Sequence, residues 1–411
     1  MKKKILLVLV LLIVVAAIAW LEIMKPQQSP TVTAQQTALQ ATSTTDTADT
    51  GNTTTTASST ASGTVAGFAA PGGAKALQVT PAQFLASRAA IVRKESTQYS
   101  AAADITNPTG WINTQPFTLG SLIGQKVVLV DFWTYSCINC IRTIPYLNAW
   151  YAKYKNAGLV IVGVHTPEFQ FEHDINNVRA AVQKLGIQYP VVLDSNMGTW
   201  NAYQNLYWPN EYLINVDGFV VHNNIGEGNY NETETAIQQA LIQRDIALGI
   251  PTSTVPTGFV TPADTINTNF NGIQSPETYF GAERNGYLMN GPAMTNGVYA
   301  LTAPTSTAFL KPSSLYLGGK WDFEDQYAQN QTAGATIAYQ YNSKNVYMVA
   351  ASANPNQPVT VQIILDGKPT GTISIGSNQL YTIVQGSSYG AHTLQLIVNQ
   401  AGLQAYTFTF G

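Results

Sequence analysis

The sequence predicts an α/β domain followed by an all-β sandwich of jelly-roll type, both carried behind a single N-terminal apolar helix. Three observations carry that reading. Between residues 106 and 250, short apolar runs rich in β-branched residues alternate with stretches of helical periodicity, the pattern of a buried sheet covered by helices. From residue 275 onward the pattern changes to short strands separated by polar turns. At the other end, seventeen unbroken apolar residues, Ile5 to Leu21, follow Lys2, Lys3 and Lys4.

The chain has 411 residues, room for two to three domains. Charged residues are 10% of the total and the net charge is −3, which excludes a nucleic-acid binder working by broad phosphate neutralisation. With 45% hydrophobic residues the chain has ample material for folded cores. Its 21 tyrosines, with abundant Thr, Ser, Asn and Gln, suit a β-rich, extracytoplasmic protein. There are 2 cysteines, Cys137 and Cys140, so neither a disulfide framework nor a four-thiolate zinc site is available.

At ~1.5 Å per residue the apolar run spans roughly 26 Å, close to a bilayer core of about 30 Å. Lysines ahead of it stay on the cytoplasmic side, so the body is expected to face outward from a single-pass membrane anchor over residues 1–25. Ala17-Ile18-Ala19 has the spacing of a cleavage site, and the alternative is a removed signal and a secreted body. Residues 31–64 hold eighteen Thr or Ser and no Lys, Arg or aromatic, too little apolar area to offset ordering entropy. Residues 26–75 therefore read as a disordered tether with an r.m.s. span of ~40 Å. Within a lead-in over 76–105, Thr80-Pro81-Ala82-Gln83 opens a helix running to about Lys94.

Val127 to Trp133 is a short, almost wholly apolar run, the mark of a buried strand. Helical spacing then places Ile141, Ile144, Leu147, Trp150, Tyr151 and Tyr154 on one helix ended by Gly158, and Leu159 to Val164 is a second buried strand. The cysteine pair thus lies at a strand-to-helix junction with Cys137 at the helix N-terminus. Free N–H groups and the helix dipole there favour a thiolate, which makes Cys137 the expected attacking cysteine. Cys140, one turn on, is placed to close on Cys137 and expel a mixed-disulfide partner. Two other readings stay open. A zinc or copper half-site lacks companions, since the four His are scattered and the six Met form no cluster. A purely structural disulfide would close a tiny loop and gain little.

Further along, Asp194 to Leu206 reads as a helix, Val178 to Leu185 as the helix of a central insertion and Tyr189 to Leu193 as a strand. Glu211 to His222 reads as a hairpin turning at Asp217-Gly218, and Thr233 to Arg244 as a closing helix.

Val130-Asp131-Phe132-Trp133, the CxxC and Trp208-Pro209 resemble a thioredoxin-like fold. Gly110-Trp111-Ile112-Asn113, the run DFWTYSCINC, Gly163 to Phe169, Gly226 to Asn231 and Pro276 to Gly281 resemble more narrowly the extracytoplasmic part of DipZ-type thiol:disulfide interchange proteins, relatives of the TlpA/ResA membrane-anchored thioredoxins. The resemblance spans roughly residues 105–411 and implies a TlpA-type thioredoxin domain with a central insertion over 106–250. It implies an enzyme with a redox-active Cys137–Cys140 disulfide, without a further cofactor or metal. Asp131 matches the carboxylate behind the resolving cysteine, where burial should raise its pKa and suit it to take the Cys140 proton. Glu168 matches a glutamate near the cysteines of ResA-like proteins, against the plainer reading of a solvated loop residue. His165 reads as a loop or core histidine. Pro209 matches the cis proline opposite the disulfide, where the backbone of the preceding residue pairs with an extended substrate. Trp133, Tyr135 and Trp208 would form an apolar rim for that substrate, or else serve as core aromatics.

The partners implied are exported proteins bearing thiols or disulfides. DipZ proteins carry a multi-helix membrane domain that passes electrons, whereas this chain shows one apolar span. A separate membrane electron donor is expected if the protein reduces its clients, and none if it oxidises them. Residues 251–274 read as a linker. The sandwich that follows resembles carbohydrate-binding modules. Tyr287, Tyr316, Trp321 and Tyr327 are its candidate sugar-stacking faces, with partner docking or ordinary core as the alternatives. A glycan- or partner-binding protein led by the sandwich is the competing functional class.

Overall fold

A computed structural model describes residues 81–411 with the exception of 267, all within one compact unit. The anchor, the tether and the start of the lead-in lie outside the described residues. Among the described residues no helix is long and apolar enough to cross a membrane.

Helix α1, Pro81–Gln98, runs four residues beyond the sequence expectation. It is tied to the first domain by Arg88, which bonds to Asp217, and by Gln243 Nε2 donating to Glu95. A six-stranded mixed sheet follows, built from β1 (Gly110–Ile112), β2 (Val127–Trp133), β3 (Leu159–His165), β4 (Val191–Leu193), β5 (Asn210–Ile214) and β6 (Val220–Ile225), in the order β1-β4-β3-β2-β5-β6. Strands β2, β3 and β4 are parallel; β1, β5 and β6 pair antiparallel to their neighbours. Helices α2 (Ile138–Tyr154), α3 (Ile175–Lys184), α4 (Gly198–Ala202) and α5 (Tyr230–Leu248) complete the domain.

Every residue of β2 is buried, and strand alternation sorts its side chains. Val127, Leu129 and Trp133 join a core with Cys140, Ile144 and Leu147 of α2 and Ile237 and Leu241 of α5. Val128, Val130 and Phe132 join the opposite core with Trp200 and Ile214. Asp131, being odd-numbered, falls on the face that carries Cys140.

The helix expected over Asp194 to Leu206 shrinks to the five residues of α4. The buried Asp194 carboxylate accepts the backbone N–H groups of Thr199 (2.9 Å) and Trp200 (2.8 Å), holding the chain start outside helical geometry. Met197 and Gln204, at φ of 56° and 51°, bracket the short turn. The hairpin at Asp217-Gly218 forms, with Asn215 Oδ1 accepting from the N–H groups of Asp217 and Phe219.

The connecting segment packs on the first domain: Val255 is buried and the Val260 N–H donates to Glu234 at 2.8 Å. After it come β7 (Thr278–Tyr279), β8 (Gly297–Leu301), β9 (Leu315–Phe323), β10 (Ala328–Asn330), β11 (Ala335–Ser352), β12 (Val359–Leu365), β13 (Lys368–Ile375), β14 (Gln379–Val398) and β15 (Leu403–Phe410). They form one nine-stranded antiparallel sheet. Strands β11 and β14 are longer than the short strands expected, and their pairing carries register shifts at Ser343/Asn345 and Val346/Tyr347. Such bulges bend a strand without ending it, so β11 pairs with β9 at one end and β15 at the other. Gly318-Gly319 interrupts the apolar alternation of β9.

Candidate active site

The site is assembled where β2 gives way to α2. Cys137 is the N-cap of α2, at φ −79° and ψ 116°, and its Sγ accepts from the Cys140 N–H at 3.4 Å. Cys137 is half-buried and Cys140 is 1% exposed; both are free thiols. The Trp208–Pro209 bond is cis, and the Trp208 carbonyl lies 3.9 Å from Cys137 Sγ. One sulfur is therefore reachable and the other is enclosed.

The enclosure has an electrostatic consequence. Burial, then the hydrogen bond and charge of Cys137, then the charge of Asp131 push the Cys140 thiol well above its usual range. Asp131 is 1% exposed, and burial lifts its carboxyl from 3.8 to about 8. A weak thiol acid thus lies on the same face as a carboxyl that titrates near physiological pH. His165 is buried and lowered to about 3, so it stays neutral; it stacks on Tyr135 and meets Trp133 edge-on.

The expected aromatic rim is partly corrected. Trp133 is fully buried on the inward face of β2 and offers nothing to a substrate. Trp208 remains half-exposed, packed on Trp200 with its Nε1 donating to Thr166 O at 3.0 Å. Tyr135 is nearly buried, yet it lines an apolar groove of about 380 Å³ with Ile138, Ile141, Leu185, Ile266 and Leu380.

Glu168 is also placed differently from expectation. Its carboxylate binds Arg284 at 2.7 Å and the Tyr279 hydroxyl at 2.9 Å, both from the second domain. It lines, with Cys137, Trp208, Arg284 and Tyr279, a polar cleft of about 140 Å³ between the domains. The carboxylate bonded to the active-site turn is Glu172, which the sequence reading missed. Wholly buried, it accepts from Ser136 Oγ at 2.5 Å and from the N–H groups of Glu168 (2.6 Å) and Phe169 (2.9 Å). Burial raises its pKa against the lowering effect of those hydrogen bonds. Its place three residues into a short turn that starts after Phe169 was the available signal.

The second domain is docked here by an aromatic cluster. Phe169 and Phe171 pack against Tyr406 with ring centroids 5.2 and 5.0 Å apart. Arg284 lies 3.7 Å over the Tyr279 ring. Of the four candidate sugar-stacking aromatics, Trp321 and Tyr316 are buried in the second domain, and Tyr327 packs on Tyr406. Tyr287 alone among those four is exposed. Among the described residues no cluster of three or more His, Cys, Asp or Glu is arranged to hold a metal.

Residues 99–223 match the AhpC/TSA family, and residues 275–411 match a thioredoxin like C-terminal domain. Protein DipZ of Mycobacterium tuberculosis is 39% identical over 314 residues, 75% of this chain and 43% of its own length. The chain belongs with the DipZ-type thiol:disulfide proteins. It spans under half of that DipZ relative. Thiol-disulfide oxidoreductase YkuV of Bacillus subtilis is 27% identical over 34% of this chain and 95% of its own length. Thiol-disulfide oxidoreductase ResA of Bacillus cereus is 30% identical over 30% of this chain and 73% of its own length. The DipZ alignment is long enough to reach beyond the thioredoxin-like domain, and the chain accordingly joins a thioredoxin-like domain to a β-rich one.

Proposed function

We propose that this protein exchanges thiols for disulfides with exported client proteins through Cys137 and Cys140, from a membrane-tethered, outward-facing position. The observation that carries the reading is the asymmetry of the pair: Cys137 accessible at the N-cap of α2, Cys140 enclosed behind it. The Cys137 thiolate attacks a client disulfide; one client sulfur leaves as a thiolate and the other stays bonded to Cys137. The extended client strand lies along the backbone of Trp208, beside Pro209. Cys140 then loses its proton to Asp131 and attacks Cys137 Sγ. The Cys137–Cys140 bond forms, the bond to the client breaks with its electron pair on the client sulfur, and the client is reduced by two electrons. The reverse sequence oxidises a client dithiol. A membrane donor recharges the pair when it works as a reductant. The lysine-led apolar run supports the tether.

Cys140→Ser should accumulate mixed disulfides between Cys137 and client proteins, and Cys137→Ser should accumulate none. Equal trapping by both variants, or by neither, overturns the assignment. Protease added to intact cells or spheroplasts should release the folded body; full protection with a sealed membrane overturns the topology.

A further inference from the structure

Asp131 is sealed from water, so a proton it accepts from Cys140 needs somewhere to go. In the sheet, Asp131 of β2 stands directly opposite Glu211 of β5. Directly opposed antiparallel residues share a face with Cβ atoms about 5 Å apart. Asp131 is 1% exposed and Glu211 0%, and each keeps one carboxyl oxygen without a hydrogen-bond partner, Asp131 Oδ1 and Glu211 Oε1. Two carboxylates so placed in a dry core cannot both be charged at neutral pH. One proton held between them, directly or through a water, would supply both orphan oxygens.

Glu211 is also the first link of a chain leading outward. Its Oε2 accepts from Thr233 Oγ1 at 3.3 Å, and Thr233 Oγ1 lies 3.1 Å from Nε2 of the half-exposed His222. A threonine hydroxyl donates once and accepts twice, so it can turn to take a proton from Glu211 and hand one to His222. The groups facing the pair are Cys140 from α2, the unpartnered Tyr189 hydroxyl ahead of β4, and Tyr230 at the start of α5. His222 is faced by Glu232. Among the described residues no Lys or Arg bonds to either carboxyl.

We infer that Asp131 and Glu211 work as one carboxyl pair that takes the Cys140 proton, and that Thr233 Oγ1 and His222 Nε2 carry it out to solvent. The inference rests on the exchange reaction proposed above. Cys140 S–H gives up its proton to the pair; the sulfur keeps the electron pair and forms the bond to Cys137 Sγ as the client thiolate leaves. The proton passes to Thr233 and His222, and His222 releases one to water. Glu211 does not meet the sulfurs; it shares the proton that Asp131 takes and passes one on to Thr233. Burial raises both carboxyls, with Asp131 adding to the rise of Glu211.

The test is single-turnover resolution of a mixed disulfide between Cys137 and a reporter peptide, followed from acid to alkaline pH. Glu211→Gln removes the like charge and lets Asp131 ionise more readily, so the acid limb of resolution should move down by about one pH unit or more. A profile superimposable on that of the unaltered protein overturns the pair. Thr233→Val should slow resolution several-fold and Thr233→Ser should restore it. No slowing in the valine variant, or equal slowing in both, overturns the exit route. Infrared spectroscopy tests the pair in the unaltered protein without any turnover. A carboxylic-acid carbonyl stretch should be present at neutral pH and shift in frequency in Asp131→Asn, where Glu211 loses its partner; a band that is absent before substitution, or unmoved by it, overturns the pair. Loss of all exchange would instead strike the reaction proposed above, while this infrared reading would still stand or fall by itself.

Discussion

The two sides of the Cys137–Cys140 pair are built on opposite principles. Behind Cys140, Asp131 and Glu211 are buried with unpartnered oxygens and raised pKa values, and no cation balances them among the described residues. In front of Cys137, Glu168 is held by Arg284 and Tyr279 across the domain boundary, where the Arg284 side chain is 37% exposed. A carboxyl kept dry and unpaired can hold and give up a proton near neutral pH. One paired with a guanidinium and a tyrosine hydroxyl acts as a fixture between the domains. The sequence offers both as acids near the cysteines; their surroundings give them different work.

The largest expected effect comes from removing the base behind Cys140. Asp131→Asn keeps the shape and should slow resolution of the mixed disulfide ~100-fold or more below pH 8. Glu168→Gln, on the front side, should leave the pH profile unmoved. A profile shifted by Glu168→Gln and not by Asp131→Asn would reverse the comparison.

Stability sharpens the same contrast. Asp131 titrates at about 8 in the folded protein against about 4 when unfolded, so the folded state retains a proton that the unfolded chain has lost. The stability tied to that proton is fully present below about pH 4 and is lost as pH rises through about 8. In denaturant titrations Asp131→Asn should flatten that decline. It should exceed the unaltered protein at pH 8 and above by on the order of a few kcal/mol. The Glu211 share of the slope should remain. A wild-type stability that does not fall between those pH values would remove the basis for a dry Asp131.

Glu172 lies between the two sides and tests the turn that presents Cys137. Glu172→Gln turns one acceptor oxygen into a donor among the Ser136 hydroxyl and the N–H groups of Glu168 and Phe169. It should cost about 1–3 kcal/mol of unfolding free energy. Thermal unfolding checks it, and an unchanged midpoint would mean the turn is held by its backbone alone.

The smallest effect belongs to Arg284→Gln. A partly exposed ion pair contributes about 1 kcal/mol or less. Exchange with a client protein should change a few-fold, and exchange with a small thiol hardly at all. A large loss with both substrates would mean that the second domain holds the cysteines themselves in place.

What the sequence by itself determined is what depends on near neighbours along the chain. The apolar run 127–133, the helical spacing from Ile141 to Tyr154 and the stop at Gly158, φ 106°, are set by contacts a few residues apart. So is the placing of Cys137 at a helix start and of the hairpin turn at Asp217-Gly218. The buried location of Asp131 was legible too, as the one charge in an apolar strand. Its partner was not, because Glu211 lies eighty residues away and reaches it only through the register of β2 on β5. Tertiary structure likewise decided that Trp133 faces inward, that Glu172 rather than Glu168 bonds to the active-site turn, and that Arg284 from the second domain holds Glu168. The same holds for β11 and β14, where bulges let one strand serve two neighbours. Periodicity fixes which face of an element is apolar. Which polar group meets which across that face depends on strand register and domain docking, and these are settled by packing summed over the whole core.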